Sequence, residues 1–418
     1  MYGRNSDVSV DEALADTRVV YLAGPRQCGK STLAQVIAEQ RDGAYLTLDD
    51  PATFDQARAD PTAFVARSDS RLLIVDEAQR LPDLFLAVKR NVDRDGRPGR
   101  ILLTGSANYL TMPQVSESLA GRVEIVSLGT LSQGEIEGTR EGFVDAAFDE
   151  ALTPALPPSS LRRDDYVRRA LAGGYPEALG RTISRRNRWF DSYITTLVQR
   201  DVRDLASVEH ISQLPTLLRL VAARTANLAN VAEISRELRM PVATLNRYLA
   251  LFETLFLLSP LRAWSANLTS RLVKSPKFFL NDTGLAAYLV EATPDRVGRF
   301  PELAGAMLEA FVVGEVRKQI TWSDLRPAPM HFRTSTGTEV DLVLEARDGR
   351  VVGVEVKAGS RIDRRDTRGL EALRDQLGDR FVRGIVLYTG EEVLPAGPKL
   401  TLMPIDSLWR WNAARRTG

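Results

Sequence analysis

Five short apolar runs punctuate the chain before residue 130: Val19–Ala23, Ala44–Leu48, Leu72–Val75, Ile101–Leu103 and Val123–Leu128. Continuous apolar runs of this length read as strands buried on both faces. Helical periodicity separates them. Helices are expected near Ser9–Ala15, from Ser31 onward, at Ala52–Arg58, at Thr62–Arg67 and at Asp83–Val92. Ser9 and Glu12 have the spacing of a capping box. Alternating strand and helix predicts an α/β domain with a mostly parallel sheet and helices on both faces. A ligand site is then expected at the carboxyl ends of the strands.

The pattern changes after residue 140. Residues 142–160 are rich in Pro, Ala and acids and read as a loop or weak helix. Helical patterning resumes at Asp164–Leu171, breaks at Gly173-Gly-Tyr-Pro-Glu177, and returns in an amphipathic stretch from Arg185 to about Leu205. The latter carries Trp189, Tyr193, Leu197 and Arg200 at helical spacing. Helices Leu214–Ala222, Val231–Arg239 and Val242–Glu253 follow, with Asn230 as an N-cap and a turn at Met240-Pro241. Helix, short turn, helix suggests a winged helix, with Thr244, Asn246 and Arg247 facing outward and Phe256–Ser259 and Lys277–Leu280 as wing strands. Such a module binds DNA or protein, and the residues leave both open. The last third shows a helix, Gly305–Glu315, then strands His331–Thr334, Thr338–Leu344 and Val351–Val356. The expected division is 1–140 (the first α/β domain), 141–209 (helical lid), 210–290 (winged-helix-like) and 291–418 (a second α/β domain).

Composition narrows the class. A chain of 418 residues with 44% hydrophobic and 26% charged residues is ordinary for a globular protein of two to three domains. A net charge of +1 confines any nucleic-acid contact to local patches. The lone cysteine, Cys28, has no partner for an internal disulfide, so a cytoplasmic protein is expected. The first residues are polar, and no apolar run approaches the ~18 residues of a membrane span, so no leader and no membrane partner are expected. His210 and His331 are the only histidines, which argues against zinc.

The chemistry concentrates in Gly24-Pro25-Arg26-Gln27-Cys28-Gly29-Lys30-Ser31-Thr32. It follows a strand, opens a helix and fits G-x-x-x-x-G-K-[ST], the phosphate loop. Its N–H groups and the helix N-terminus would hold ATP phosphates. Lys30 would reach the β- and γ-phosphates, and the Ser31 hydroxyl would ligate Mg²⁺. Leu72-Leu-Ile-Val-Asp76-Glu77 is the second half of this chemistry. Asp76 would hold Mg²⁺ and Glu77 would polarise the attacking water. The strand end Thr104-Gly-Ser106-Ala-Asn108 offers candidate γ-phosphate sensors. Arg122 reads equally as a surface arginine or as an arginine finger, in cis or from a neighbouring copy in a homo-oligomer. Arg181, Arg185, Arg186 and Arg188 read as a solvated face or as phosphate contacts.

A second constellation lies near the end. Period two puts Glu355 and Lys357 on one strand face, with Asp341 on the strand before and Glu309 on the preceding helix. Asp341 and Glu355 could hold Mg²⁺ while Lys357 positions water, the layout of a metal-dependent nuclease. The same residues also suit a hairpin with solvated acids.

Together the phosphate loop, Asp76-Glu77-Ala-Gln, Leu103-Thr-Gly-Ser, Ser118-Leu-Ala-Gly-Arg122, Gly174-Tyr-Pro-Glu, Glu339-Val-Asp341 and Glu355-Val-Lys357 resemble a group of prokaryotic AAA-type ATPases. These join the ATPase to a C-terminal domain of unknown function similar to PD-(D/E)XK nucleases. The resemblance spans essentially the whole chain. It implies that Lys30, Ser31, Asp76 and Glu77 serve ATP and that Glu309, Asp341, Glu355 and Lys357 form the nuclease-like set. The Pro-Asp pair of the nuclease name is missing, since Val340 precedes Asp341. The expected function is an ATPase coupling nucleotide state to DNA binding, with or without DNA processing. The alternative is a nucleotide switch for protein partners with an inactive C-terminal site.

Overall fold

The computed structural model of the chain describes residues 2–106, 119–199, 211–267, 269, 271, 274–334 and 336–412. The contacts divide it into two units, one of Gly3–Thr130 with Leu251–Leu257, the other of Leu131–Ala250 with Leu258–Gly418.

The first unit is a five-stranded sheet of β1 (Val19–Ala23), β2 (Ala44–Thr47), β3 (Leu73–Asp76), β4 (Ile101–Gly105) and β5 (Val123–Ser127). Every pairing is parallel, in the order β2-β3-β4-β1-β5. Alternate residues explain the two cores. Val19, Tyr21, Leu73, Val75, Ile101 and Leu103 pack on one face with α3 (Pro51–Ala59), α4 (Pro61–Val65) and α5 (Asp83–Arg94). Val20, Leu22, Ile74 and Leu102 pack on the other with α1 (Asp7–Asp16) and α2 (Lys30–Gln40). Each fully buried Val or Leu contributes about 1.5–3 kcal/mol. Asp50 and Asp60 cap α3 and α4, accepting from Thr53 and Ala63 N–H, with Pro as the first helical residue of each. The capping box at Ser9 does not form. Helix α1 begins two residues earlier behind Ser6, and Ser9 is buried within it.

The second unit holds an eight-stranded mixed sheet in the order β12-β13-β11-β10-β9-β8-β6-β7. Its strands are β6 (Leu258–Ala263), β7 (Lys277–Leu280), β8 (Ala328–Arg333), β9 (Glu339–Glu345), β10 (Val351–Lys357), β11 (Phe381–Tyr388), β12 (Leu394–Gly397) and β13 (Leu400–Pro404). One face carries the helix Pro301–Ile320, whose Leu308, Phe311 and Val312 pack with Leu342, Leu344, Val352 and Val354. The other carries the helix Arg368–Leu377 through Leu370 and Leu373.

Three features depart from expectation or extend it. The segment read as a loop or weak helix contains a short helix, Phe143–Phe148, buried at Phe143, Val144, Ala146, Ala147 and Phe148. At six residues, with Asp145 as its single polar side chain, this helix is too short to show a helical period in the sequence. The helices Val231–Leu238 and Val242–Thr254 form as expected, with Asn230 capping the first through Glu233 N–H. Between them Arg239 is left-handed (φ 51°), and Ser235 Oγ donates to the Met240 carbonyl at 2.5 Å. The expected wing strands do pair with each other, antiparallel. They also extend the C-terminal sheet, because β6 runs parallel to β8. No described helix is long and apolar enough to cross a membrane.

Candidate nucleotide site

The phosphate loop joins β1 to α2. Gly24 is forced by close approach, since a Cβ there would lie 2.1 Å from the Leu128 carbonyl oxygen. Gly29 is forced by conformation. Its φ of 103° is left-handed, and it caps α2. Gln27 also turns left-handed (φ 60°) at the exposed tip. Pro25 and Cys28 are buried, Arg26 and Ser31 half-buried and Thr32 exposed. Arg4 ties the loop from outside, donating from Nη1 to the Cys28 carbonyl (2.7 Å) and from Nη2 to Gly129 (2.8 Å). Lys30 is 4% exposed and donates to the carbonyls of Gly24 (3.0 Å) and Pro25 (2.9 Å). Its ammonium is therefore folded back over its own loop.

β3 delivers the acids. Asp76 is 4% exposed at the strand end. It accepts from Thr104 Oγ1 on β4 at Oδ1 and from the Tyr45 hydroxyl at Oδ2 (2.7 Å). The Tyr45 hydroxyl also interacts with Ser31 and Gln35. Burial, then the Asp76 carboxylate, raise the Tyr45 pKa above its ordinary value. The phenol thus bonds the aspartate of β3 and lies near the serine of the phosphate loop. Tyr45 escaped the sequence reading because a tyrosine in a short strand looks like packing.

Glu77 leaves the strand in a left-handed turn (φ 56°). Its N–H donates to Thr104 Oγ1 (3.1 Å). Its Oε2 accepts from Gln79 Nε2 and from Ser106 Oγ (3.3 Å), and Gln79 Nε2 also reaches Ser106 Oγ (3.1 Å). A left-handed non-glycine residue held by this many polar contacts is a common mark of a working site. Of the three sensor candidates, Thr104 touches both acids and Ser106 touches Glu77, while Asn108 lies outside the described residues. Gln79 was not singled out from sequence.

Arg122 is not with this group. Its carbonyl accepts from Val19 N–H, which puts it at the amino ends of β1 and β5, away from the phosphate loop. It grips Asp93 through Nε (2.5 Å) and Nη2 (3.0 Å). The arginine run of the second unit is divided. Arg181 pairs with Glu177, Arg186 donates to three backbone carbonyls, and Arg185 and Arg188 are exposed.

In the second unit Glu309, Asp341, Glu355 and Lys357 do come together, from the helix Pro301–Ile320, β9 and β10. Asp341 Oδ2 accepts from Val356 N–H (2.9 Å), and Lys357 Nζ lies 2.8 Å from Glu355 Oε1. The sequence reading missed a fifth member. Lys277 of β7, 3% exposed, places Nζ 2.7 Å from Glu309 Oε1 and 3.6 Å from Asp341 Oδ1. Burial, and then Asp341, push the Glu355 carboxyl up to about 8 and Glu309 well above its usual range. Burial opposes charge on Lys277, but Glu309 and Asp341 outweigh it and raise its pKa.

Comparison with known proteins fits this geometry. Residues 16–137 match an AAA domain family (AAA_14). Residues 163–296 and 304–408 match two domains of unknown function, DUF8612 and DUF4143. The uncharacterized proteins Rv2008c of Mycobacterium tuberculosis and Mb2031c of Mycobacterium bovis are each 31% identical to the chain over 411 residues. The match takes in 97% of this chain and 84% of theirs. The chain belongs to this family of AAA-type ATPases. A Walker-type ATPase of Pyrococcus abyssi is similar in structure, with 15% identity and a TM-score of 0.46 over 69% of this chain and 96% of that one. Within the AAA-type family the first unit accounts for ATP binding and hydrolysis.

Proposed function

We propose that the protein hydrolyses ATP with Mg²⁺ and uses its nucleotide state to control DNA binding. The observation that carries the first half is the convergence of Lys30, Ser31, Asp76 and Glu77 around the carboxyl ends of β1 and β3, with Thr104 Oγ1 bonded to the Asp76 carboxylate and the Glu77 backbone N–H.

Bound phosphate gives the Lys30 ammonium better partners than the carbonyls of Gly24 and Pro25, so the side chain moves from loop to nucleotide. The loop N–H groups and the N-terminus of α2 take the remaining oxygens. Ser31 and Asp76 are an alcohol and a carboxylate, the oxygen donors a hard cation prefers, and they are the residues that would hold Mg²⁺. When bound, Mg²⁺ would supply positive charge to offset that of the phosphates. Glu77 aligns the attacking water once its carboxylate leaves Gln79 and Ser106.

Support for the DNA half comes from the helix pair Val231–Leu238 and Val242–Thr254, which exposes Arg236, Arg239, Asn246 and Arg247 around its turn. Arginine contacts on phosphates and base edges need side chains of this kind. The test measures ATP turnover together with DNA binding by fluorescence anisotropy, with and without ATP, over a salt series. The expected result is affinity that falls steeply with salt and differs between nucleotide states. Binding indifferent to nucleotide, or absent at low salt, would refute the coupling. An Arg247→Ala variant that turns over ATP normally but binds DNA more weakly would locate the contact.

A further inference from the structure

The acidic cluster of the second unit has the residues of a metal-dependent nuclease but not the vacancy. Three carboxylates, Glu309, Asp341 and Glu355, crowd a site where each side chain is at most 14% exposed. A magnesium ion would need its ligand oxygens turned toward one point and at least one side open to water. Four of the six carboxylate oxygens are already committed. Glu309 Oε1 and Asp341 Oδ1 face Lys277 Nζ, Asp341 Oδ2 accepts from a backbone N–H, and Glu355 Oε1 faces Lys357 Nζ. Glu355 Oε2 is buried without a hydrogen-bond partner. Among the described residues no group of three or more His, Cys, Asp or Glu is arranged to hold a metal.

A buried lysine is costly unless carboxylates surround it, and crowded carboxylates are costly unless a cation sits among them. Each solves the other's problem. We infer that Lys277 is the resident cation of this cluster, so that the second unit folds without a divalent metal and cleaves no phosphodiester. The ammonium enters from β7, a strand that joins the sheet edge, and reaches across to the helix and to β9. An ammonium can balance carboxylate charge but has no empty coordination position, so it cannot activate a bound water as a metal does. The inference stands apart from the nucleotide site and holds whether or not the chain binds DNA.

The test is Mn²⁺ binding followed by electron paramagnetic resonance on the full, nucleotide-free chain. Wild type and Asp341→Asn should bind the same amount of Mn²⁺. Lys277→Met should gain a Mn²⁺ site that the Lys277→Met, Asp341→Asn double variant lacks. If Lys277→Met is too unstable to assay, Lys277→Met with Glu309→Gln restores charge balance, and its melting temperature should recover toward wild type. Mn²⁺ bound by wild type and lost in Asp341→Asn would overturn the proposal. So would a folded Lys277→Met chain that gains no site. Cleavage of linear or branched DNA by wild type with Mg²⁺ or Mn²⁺, abolished by Asp341→Asn, would overturn it as well.

Discussion

The Tyr45 hydroxyl donates to Asp76 Oδ2 at 2.7 Å, so the edge strand of the first sheet holds the acid presented by its neighbour. The same hydroxyl lies close enough to Ser31, the other oxygen donor assigned to the cation, to interact with it. Tyr45→Phe removes this brace while keeping the ring. A hydrogen bond to a charged group contributes about 1.5–3 kcal/mol, so the half-buried site should lose on the order of 1 kcal/mol in urea unfolding. KM for Mg-ATP should rise with it. An unchanged KM would mean that solvent replaces the phenol without penalty.

Glu77 is the residue whose loss should separate binding from chemistry. Glu77→Gln preserves the shape of the turn and the contact with Ser106 but cannot act as a base. Turnover should fall by about a hundredfold or more. Nucleotide affinity, read by a fluorescent ATP analogue, should stay within a few-fold of wild type. Near-normal turnover would move the catalytic assignment to another group.

Gly24 tests the loop itself. A methyl group there meets backbone, the Leu128 carbonyl at 2.1 Å, and backbone cannot rotate aside. Gly24→Ala should cost about 1–3 kcal/mol of stability and abolish tight ATP binding. Gly3→Ala, where nothing lies within 4 Å, serves as the control and should leave both unchanged. Normal ATP affinity in the Gly24 variant would show that the end of β5 yields.

Glu141 predicts the pH response of the second unit. Its Oε2 accepts from Ser132 Oγ and its Oε1 from Gly134 N–H (2.9 Å). Burial, then the charge of Glu315, raise its pKa from 4.5 to about 8. The folded chain therefore keeps a proton that the unfolded chain has released between those values. Stability falls as pH climbs through that window, because the native state binds more protons there. Glu141→Gln should flatten this part of the melting-temperature curve and raise it above pH 8. A curve unaltered in slope would show that Glu141 is already ionised in the fold.

The first sheet was legible because its strands are short, continuous and apolar, and because phosphate-loop chemistry demands glycines at fixed offsets. Asp76, Glu77, Thr104 and Ser106 could be named from their strand ends alone. What was hidden depends on contacts between distant parts of the chain. Gln79 acts on Glu77 only through a local turn with positive φ, and Tyr45 acts only across a strand pair. β11 reads Phe-Val-Arg-Gly-Ile-Val-Leu-Tyr and is buried along its whole length, yet no motif flags it. Lys277 looked like the first residue of a wing. Its role appears only when β7 is set beside β6 and the helix Pro301–Ile320 is laid over the sheet.

That strand pair also limits how this architecture can be inherited. The helix-turn-helix segment hands its two following strands to the sheet that the final hundred residues complete, and one of those strands carries the lysine that neutralises the acids. A gene fusion or recombination point placed between residues 280 and 300 would hand most of the sheet to one descendant and its counter-charge to the other. The two segments can therefore drift in sequence, but they must travel together.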